Sequence, residues 1–380
     1  MLSEFEISNI ALFHQNCCNA VNYEHDMFDH NKWNSFIDKA TKNGISSQIY
    51  MWLRRNKQAE GLTMSNQKHL QSLSILASTR NQQLLSEYQT ITQELQKNSI
   101  PFSPLKGIWL LENLYPSNYP RLTSDMDILV HPEDIQKVSE LSREMGYKQD
   151  PLRSRFDSKI SSPPGHHIPA LRKNSISIEW HFKPYSTASS EICRELLETP
   201  GPEVHFYVMA KHLQRHYQAG FGQLKWLFDL ILLSSQLPLD KFLNWMTRVP
   251  EIENPIQIRE FAMILFPLSH QTDIRNSIAL IDTALDRFLN NYNNNNNHHN
   301  NHNTRVIPRI IPAQLRLNEK YWWVLATLFP TPEYMRFYRS NDEGKALLIL
   351  YLNRWFRLVC KAASICITSI KAKSRLKDGN

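Results

Sequence analysis

Glycine is scarce in this chain, with 10 residues among 380. Tight turns and bulges lean on glycine's freedom at positive φ, so the shortage argues against a β-rich or turn-repeat architecture and for many helices. Cysteine is thin as well. Cys17, Cys18, Cys193, Cys360 and Cys366 form no CxxC and show no metal-ligand spacing. An odd number, two of them adjacent, fits a reducing compartment and not a disulfide framework. The first residues lack a basic segment followed by an apolar core, so no signal peptide and a cytoplasmic location are expected. No uninterrupted run of about 18 apolar residues occurs, which argues against a transmembrane segment. The net charge of +7 is modest for this length and comes without a clustered basic stripe. Stable nucleic-acid binding is therefore not expected.

What is present is 42% hydrophobic content, enough for a sizeable core and for two or three domains. The informative stretch runs from Ile100 to Lys148. At its centre, Ser124-Asp125-Met126-Asp127-Ile128-Leu129-Val130 reads as an apolar strand opening on two carboxylates two residues apart. Strand side chains alternate faces, so Asp125 and Asp127 share one side while Met126, Ile128 and Val130 take the other. Two neighbouring anions repel, and a divalent cation such as Mg²⁺ relieves that repulsion. Upstream, Phe102 to Leu105 reads as a strand that turns at Lys106-Gly107 into a helix over Ile108 to Tyr115, ended by Pro116 and Pro120. A glycine at such a turn lets phosphate approach the backbone, and the helix start favours anions. Downstream, Ile135, Val138, Leu141 and Met145 keep helical spacing up to Gly146.

In that order (strand, glycine turn, helix, loop, DxD strand, helix) the stretch resembles the nucleotidyltransferase superfamily with a DNA polymerase β type of catalytic domain. It is similar in particular to bacterial nucleotidyltransferase family proteins, with Lys106-Gly107 standing where the superfamily usually has Gly-Ser. The residues that carry the resemblance are Lys106-Gly107, Tyr115, Arg121, Asp125 through Val130, and Gly146-Tyr147. More loosely, it extends from about Trp33 to Arg339.

Further along, Ser175 to Phe182 alternates strictly, with Ile176, Ile178, Trp180 and Phe182 on one face and Ser177, Glu179 and His181 on the other. A strand like this beside the DxD strand brings Glu179 to the same metal site. The resemblance implies an acid, one residue, then His here, so Glu179-Trp180-His181 matches with Glu for the more usual Asp. His212 and His216 lie four apart on a helix, which is also zinc-ligand spacing, but no third ligand accompanies them, so core hydrogen bonding is the expected role. The resemblance adds a supporting role for these histidines and for the Trp226-x-x-Asp229 helix near nucleotide or acceptor.

The expected fold is α+β: a small mixed β-sheet nucleotidyltransferase domain over 99–200, a helical cap over 1–98, and a helical domain over 201–380. An Asn/His-rich insertion at 290–303 interrupts the last of these and cannot order itself. A final helix from about Lys345 carries Arg354, Arg357 and Lys361 on one face, read as docking on the helical domain or as attachment to anionic lipid.

Together these features lead us to expect transfer of a nucleoside monophosphate from an NTP to an acceptor hydroxyl or phosphate on a small molecule, protein or RNA. Asp125, Asp127 and Glu179 are the expected catalytic and metal residues, with Mg²⁺ or Mn²⁺ as the ion. Lys106, Gly107 and Arg121 are expected to hold the triphosphate. The alternative is a module with this fold that binds nucleotide or a partner protein without turnover, as Lys-Gly for Gly-Ser and Glu for Asp allow.

Overall fold

The structure, a computed structural model, describes residues 34, 37–38, 40–55, 62–115, 120–151, 154–155, 165–218, 223–249, 255–268, 317–337 and 347–356. The lead-in before residue 34, the 290–303 insertion, Arg357 and Lys361 lie outside the described residues.

Two helices come first, α1 (Ser46–Arg55) and the long α2 (Met64–Lys97), whose start is capped by the Thr63 hydroxyl accepting the Asn66 N–H. Strand β1 (Phe102–Leu105) then runs straight into α3 (Lys106–Asn113). Strand β2 (Met126–Val130) is followed by a 3₁₀ turn at Pro132–Asp134 and α4 (Ile135–Glu144). Short strands β3 (Lys148–Gln149) and β4 (Leu171–Lys173) precede β5 (Ile176–His181). Helices α5 (Ser190–Glu198), α6 (Pro202–Gln218), α7 (Leu224–Gln236), α8 (Leu239–Arg248) and α9 (Pro255–Leu268) follow. Beyond them lie α10 (Leu317–Leu328), α11 (Pro332–Phe337) and a helical segment at 347–356. The result is the expected α+β arrangement, a small mixed sheet with helices on both sides of it in the chain.

The sheet has the order β1-β2-β5-β4-β3. Only β2 and β5 run parallel; the other neighbours are antiparallel. The alternation of β2 and β5 decides what each sheet face meets. Met126, Ile128, Val130, Ile178 and Trp180 pack with Leu84, Tyr88, Ile91 and Leu95 of α2 and with Val138 of α4. On the other face, Leu105 and Leu129 join a second core built mainly from α1, α3 and α5 to α9. Asp127 and His181 sit on that second face and are buried, so the acids point inward to the helical half of the molecule and not to open solvent.

The Lys148–Gln149 and Leu171–Lys173 strands, of two and three residues, are too short for the sequence to show a period. In the last described segment, Arg354 donates from Nε and Nη2 to the Thr327 carbonyl, and Trp355 Nε1 donates to that of Leu328. These contacts dock the 347–356 segment on the end of α10. Among the described residues no helix is long and apolar enough to cross a membrane.

Candidate active site

The register of the two parallel strands builds the site. Asp127 lies opposite Glu179 and Leu129 opposite His181, so both acids and the imidazole project from one sheet face. Asp127, Glu179 and His181 each offer a ligand atom, and these atoms lie within 4.8 Å of one another. Asp125 lies just before β2 and lines the same cavity, outside that group of three, with the Ser124 hydroxyl donating to its Oδ1 at 2.9 Å. Arg80 of α2 pins this approach: it donates to the Ser124 carbonyl at 2.8 Å and to the Ser175 hydroxyl at 3.1 Å. Behind the face, Trp180 Nε1 donates to the Ser142 hydroxyl at 2.9 Å and ties β5 to α4.

Asp127 is the most heavily engaged of the acids. Its Oδ1 accepts from Lys106 Nζ at 2.7 Å and from His181 Nε2 at 2.7 Å. Burial pushes its proton affinity up, but Lys106 and then His181 outweigh it, and the carboxyl stays ionised far below the usual carboxylate range. Burial and then the Asp127 charge raise both Asp125 and Glu179 above their ordinary values. His181 falls to about 4 through burial and then Lys106, against the pull of Asp127. A neutral His181 with its proton on Nε2 suits the bond to Asp127. Glu179 Oε2 lies 3.7 Å from both His167 Nε2 and His181 Nε2.

The strand-to-helix turn is strained in an informative way. Lys106 has φ +48, the left-handed region where glycine is at home and another residue costs about 1–2 kcal/mol. It stands where the resembling superfamily has the glycine of Gly-Ser. The glycine of this chain, Gly107, answers a different need: a Cβ there would meet Thr123 Cγ2 at 2.7 Å and Arg121 Nη1 at 3.2 Å. It lets the loop before β2 lie against the start of α3.

Arg121 lines the cavity with its charge already matched. Nε donates to Asp229 Oδ1 at 2.7 Å and Nη2 to Oδ2 at 2.6 Å, while Nη1 donates to the Thr123 hydroxyl at 2.9 Å. Tyr115 adds its hydroxyl to Asp229 Oδ1 at 2.8 Å. Asp229, fully buried on α7, thus gathers the loop, α3 and the helical region around one carboxylate.

A cavity of about 480 Å³ joins these parts, a size suited to a small-molecule ligand. Its sheet wall holds Lys106, Asp125, Asp127 and Glu179; its helical wall holds His212, Arg215, His216, Lys225 and Trp226. His212 and His216 pack on the Trp226 ring, with centroids 4.8 and 4.6 Å away. Burial lowers the proton affinity of both. Their four-residue spacing serves an aromatic cluster at the rim of the site. His166 lines the site too, Asp229 of the Trp226-x-x-Asp229 helix reaches it through Arg121, and Arg215 and Lys225 belong to it although no local pattern marks them. The one available signal for Lys225 was a lone lysine at the head of an apolar helix.

A family model described as "Uncharacterised nucleotidyltransferase" matches residues 29–254, more than half of the chain. The chain belongs to that family. The match spans the whole cavity, from the turn at Asn43-Gly44 through both walls. No curated protein and no solved structure matches.

The donor set suits a divalent cation. Three carboxylates converge on the sheet wall of the cavity beside the one ammonium of Lys106, and two of the three hold their protons more tightly than usual because of burial and their neighbour. That environment is short of positive charge, as an ion-binding site must be before its ion arrives. In this nucleotidyltransferase-family chain the Asp127–Glu179–His181 group, with Asp127 and His181 buried and Glu179 partly exposed, is therefore compatible with metal binding.

Proposed function

We propose that the chain is a metal-dependent nucleotidyltransferase that moves a nucleoside monophosphate from an NTP to an acceptor hydroxyl or phosphate in the cytoplasm. The observation that supports it most is the strand register, which sets Asp127 beside Glu179 on the face that lines the cavity, with Asp125 at its edge. Asp125, Asp127 and Glu179 are the residues to hold Mg²⁺ or Mn²⁺, which when bound supplies charge neutralisation at the phosphoryl oxygens.

The chain's own residues do the rest. Glu179, with its proton affinity raised by burial and by Asp127, is suited to take the acceptor's proton. The acceptor oxygen then bonds to the α-phosphorus, the bond from that phosphorus to its bridging oxygen breaks, and pyrophosphate leaves with the electron pair. His181 fixes the Asp127 carboxylate. Lys106 has three N–H donors and gives one to Asp127, leaving others for a phosphate oxygen near Gly107. Arg121 keeps the neighbouring wall in place through Asp229.

The test is incubation of the protein with each α-³²P-labelled NTP, Mg²⁺ and cell extract. Label transferred by wild type and lost in Asp127→Asn is the expected result; equal labelling by the variant overturns the reading. One observation favours the second reading, a nucleotide-binding module without turnover: Lys106 and His181 already engage Asp127 Oδ1 without an ion. Nucleotide binding by wild type with no labelled acceptor is the outcome that selects it.

A further inference from the structure

Two of the cavity's cations are matched by carboxylates, and two are not. Lys106 faces Asp127 and Arg121 faces Asp229. Among the described residues neither Arg215 nor Lys225 has a carboxylate within ion-pairing distance, though both line the cavity. Arg215, at the exposed rim, has His166 Nδ1 at 3.5 Å, and the Lys225 ammonium lies 5.7 Å from the centre of the Trp226 ring. Three carboxylates against the one ammonium of Lys106 leave the sheet wall with two negative charges in excess. The helical wall carries two positive charges in excess.

Lys225 is also held in place. Its stem crosses Gly44, where a Cβ would stand 2.7 Å from Lys225 Cδ, and Gly44 itself has φ +71. Asn43 secures the start of α7 by accepting the Lys225 N–H at its carbonyl, 3.2 Å away, and the Leu224 N–H at its Oδ1, 3.3 Å away. The N-terminal helical region thus fixes where an unmatched cation stands in the cavity. Burial and then Arg121 lower its proton affinity to about 8, as expected for an ammonium that lacks an anion.

We propose that the helical wall is a polyphosphate subsite: Lys225, with Arg215 at the rim, takes the β- and γ-phosphates of the donor nucleotide while the sheet wall takes the cation. A cavity split into an acidic and a basic wall is complementary to one ligand that carries both signs, a divalent metal on a polyphosphate chain. A monoanionic acceptor satisfies one wall only. The inference rests on the nucleotidyl-transfer reading and deepens it, since it assigns the phosphates to residues from the helical region in addition to the Lys106-Gly107 turn.

The test is equilibrium titration with Mg²⁺ and, separately, α,β-methylene analogues of the four NTPs, inorganic tripolyphosphate and inorganic phosphate. Lys225→Met should weaken both the nucleotide analogue and tripolyphosphate about tenfold to a hundredfold, the usual scale for one charge-assisted contact. Arg215→Met should have a smaller effect of the same sign, and Lys225→Arg should restore most of the loss. In wild type, Mg²⁺-tripolyphosphate should shield Lys225 from amine acylation read by mass spectrometry, a readout that needs no variant to fold. Unchanged affinity in Lys225→Met together with an unshielded Lys225 overturns the subsite while tight nucleotide binding keeps the nucleotidyl-transfer reading. Tripolyphosphate shielding without binding of any nucleotide analogue supports the subsite and sinks the donor reading. Equal shielding by inorganic phosphate overturns the assignment to the β- and γ-phosphates, and no binding by any probe overturns both.

Discussion

On the sheet wall of the cavity every cation has its carboxylate: Lys106 has Asp127 at 2.7 Å, and Arg121 has Asp229 at 2.6 Å. On the helical wall Arg215 and Lys225 have none among the described residues. The difference separates charges that belong to the fold from charges that belong to a ligand. A paired, buried charge is costly to leave alone, so removing its partner is felt as lost stability. An unpaired cation already bears its desolvation penalty in the free protein, and a bound anion lifts it. The walls should therefore answer mutation in opposite ways, one through folding and the other through binding.

The largest effect should come from the chemistry that the sheet wall supports. Glu179→Gln removes the acceptor-side carboxylate charge while keeping the side chain's size. Turnover should fall about 10²–10⁴-fold, the usual contribution of such a group. Nucleotide affinity should hardly move, since the polyphosphate contacts lie elsewhere. Single-turnover rates beside titrated affinities will show the split, and a variant that loses affinity and rate in equal measure would place Glu179 in nucleotide docking instead.

Next comes the pair that the comparison treats as structural. Asp229→Ala leaves the Arg121 guanidinium buried without its partner and strips the Tyr115 hydroxyl of its acceptor. A loss of about 3–5 kcal/mol is expected in urea unfolding. Retention of wild-type stability would mean that Arg121 belongs with the ligand-directed cations after all. Gly107→Ala tests the same wall more gently. Its Cβ would press on Thr123 Cγ2 at 2.7 Å and crowd Arg121 Nη1 at 3.2 Å, an overpacking worth about 1–3 kcal/mol in the same measurement.

These residues also show what a sequence exposes and what it hides. Phe102–Leu105 coincides with β1, and β2 takes Met126–Val130 of the Ser124–Val130 stretch, because short and mostly apolar runs bounded by turn residues are a local signal. The sharing of one face by Asp127 and Glu179 was legible too: period-2 alternation fixes the face once two strands are neighbours. The engagement of Arg121 was not. Its place four residues before Asp125 suggests a phosphate ligand, yet its partner Asp229 is 108 residues away, and no local pattern announces a contact of that separation. β3 and β4 give no such signal because two and three residues are too few to show a period. Lys106 shows a mixed outcome. The Lys-Gly turn was visible, but its φ of +48 and its bond to Asp127 emerge only when the chain folds back across 21 residues.

The smallest effect is the sharpest test of the comparison. Lys225→Met keeps an apolar stem across Gly44 and beside Trp226 but deletes the charge. Because Lys225 has no carboxylate partner among the described residues, the free protein should lose no stability and should gain within about 1 kcal/mol at neutral pH. The sign can be followed with pH. In the folded chain burial lowers the Lys225 pKa to about 8, against 10.5 for an unperturbed lysine, with Arg121, Asp229 and Asp125 as the charges that act on it after burial. Between those two values the unfolded chain holds more protons at this position than the folded one, so the wild-type contribution from Lys225 rises with pH across that window. Below pH 8 the penalty is present in full, and above about 10.5 it is gone. The advantage of Lys225→Met in urea midpoint should accordingly be greatest near neutrality and should shrink as the pH climbs through 8 towards 10.5. A variant less stable than wild type near neutrality, with a deficit that does not depend on pH, would show that Lys225 serves the fold, and the contrast between the two walls would fail.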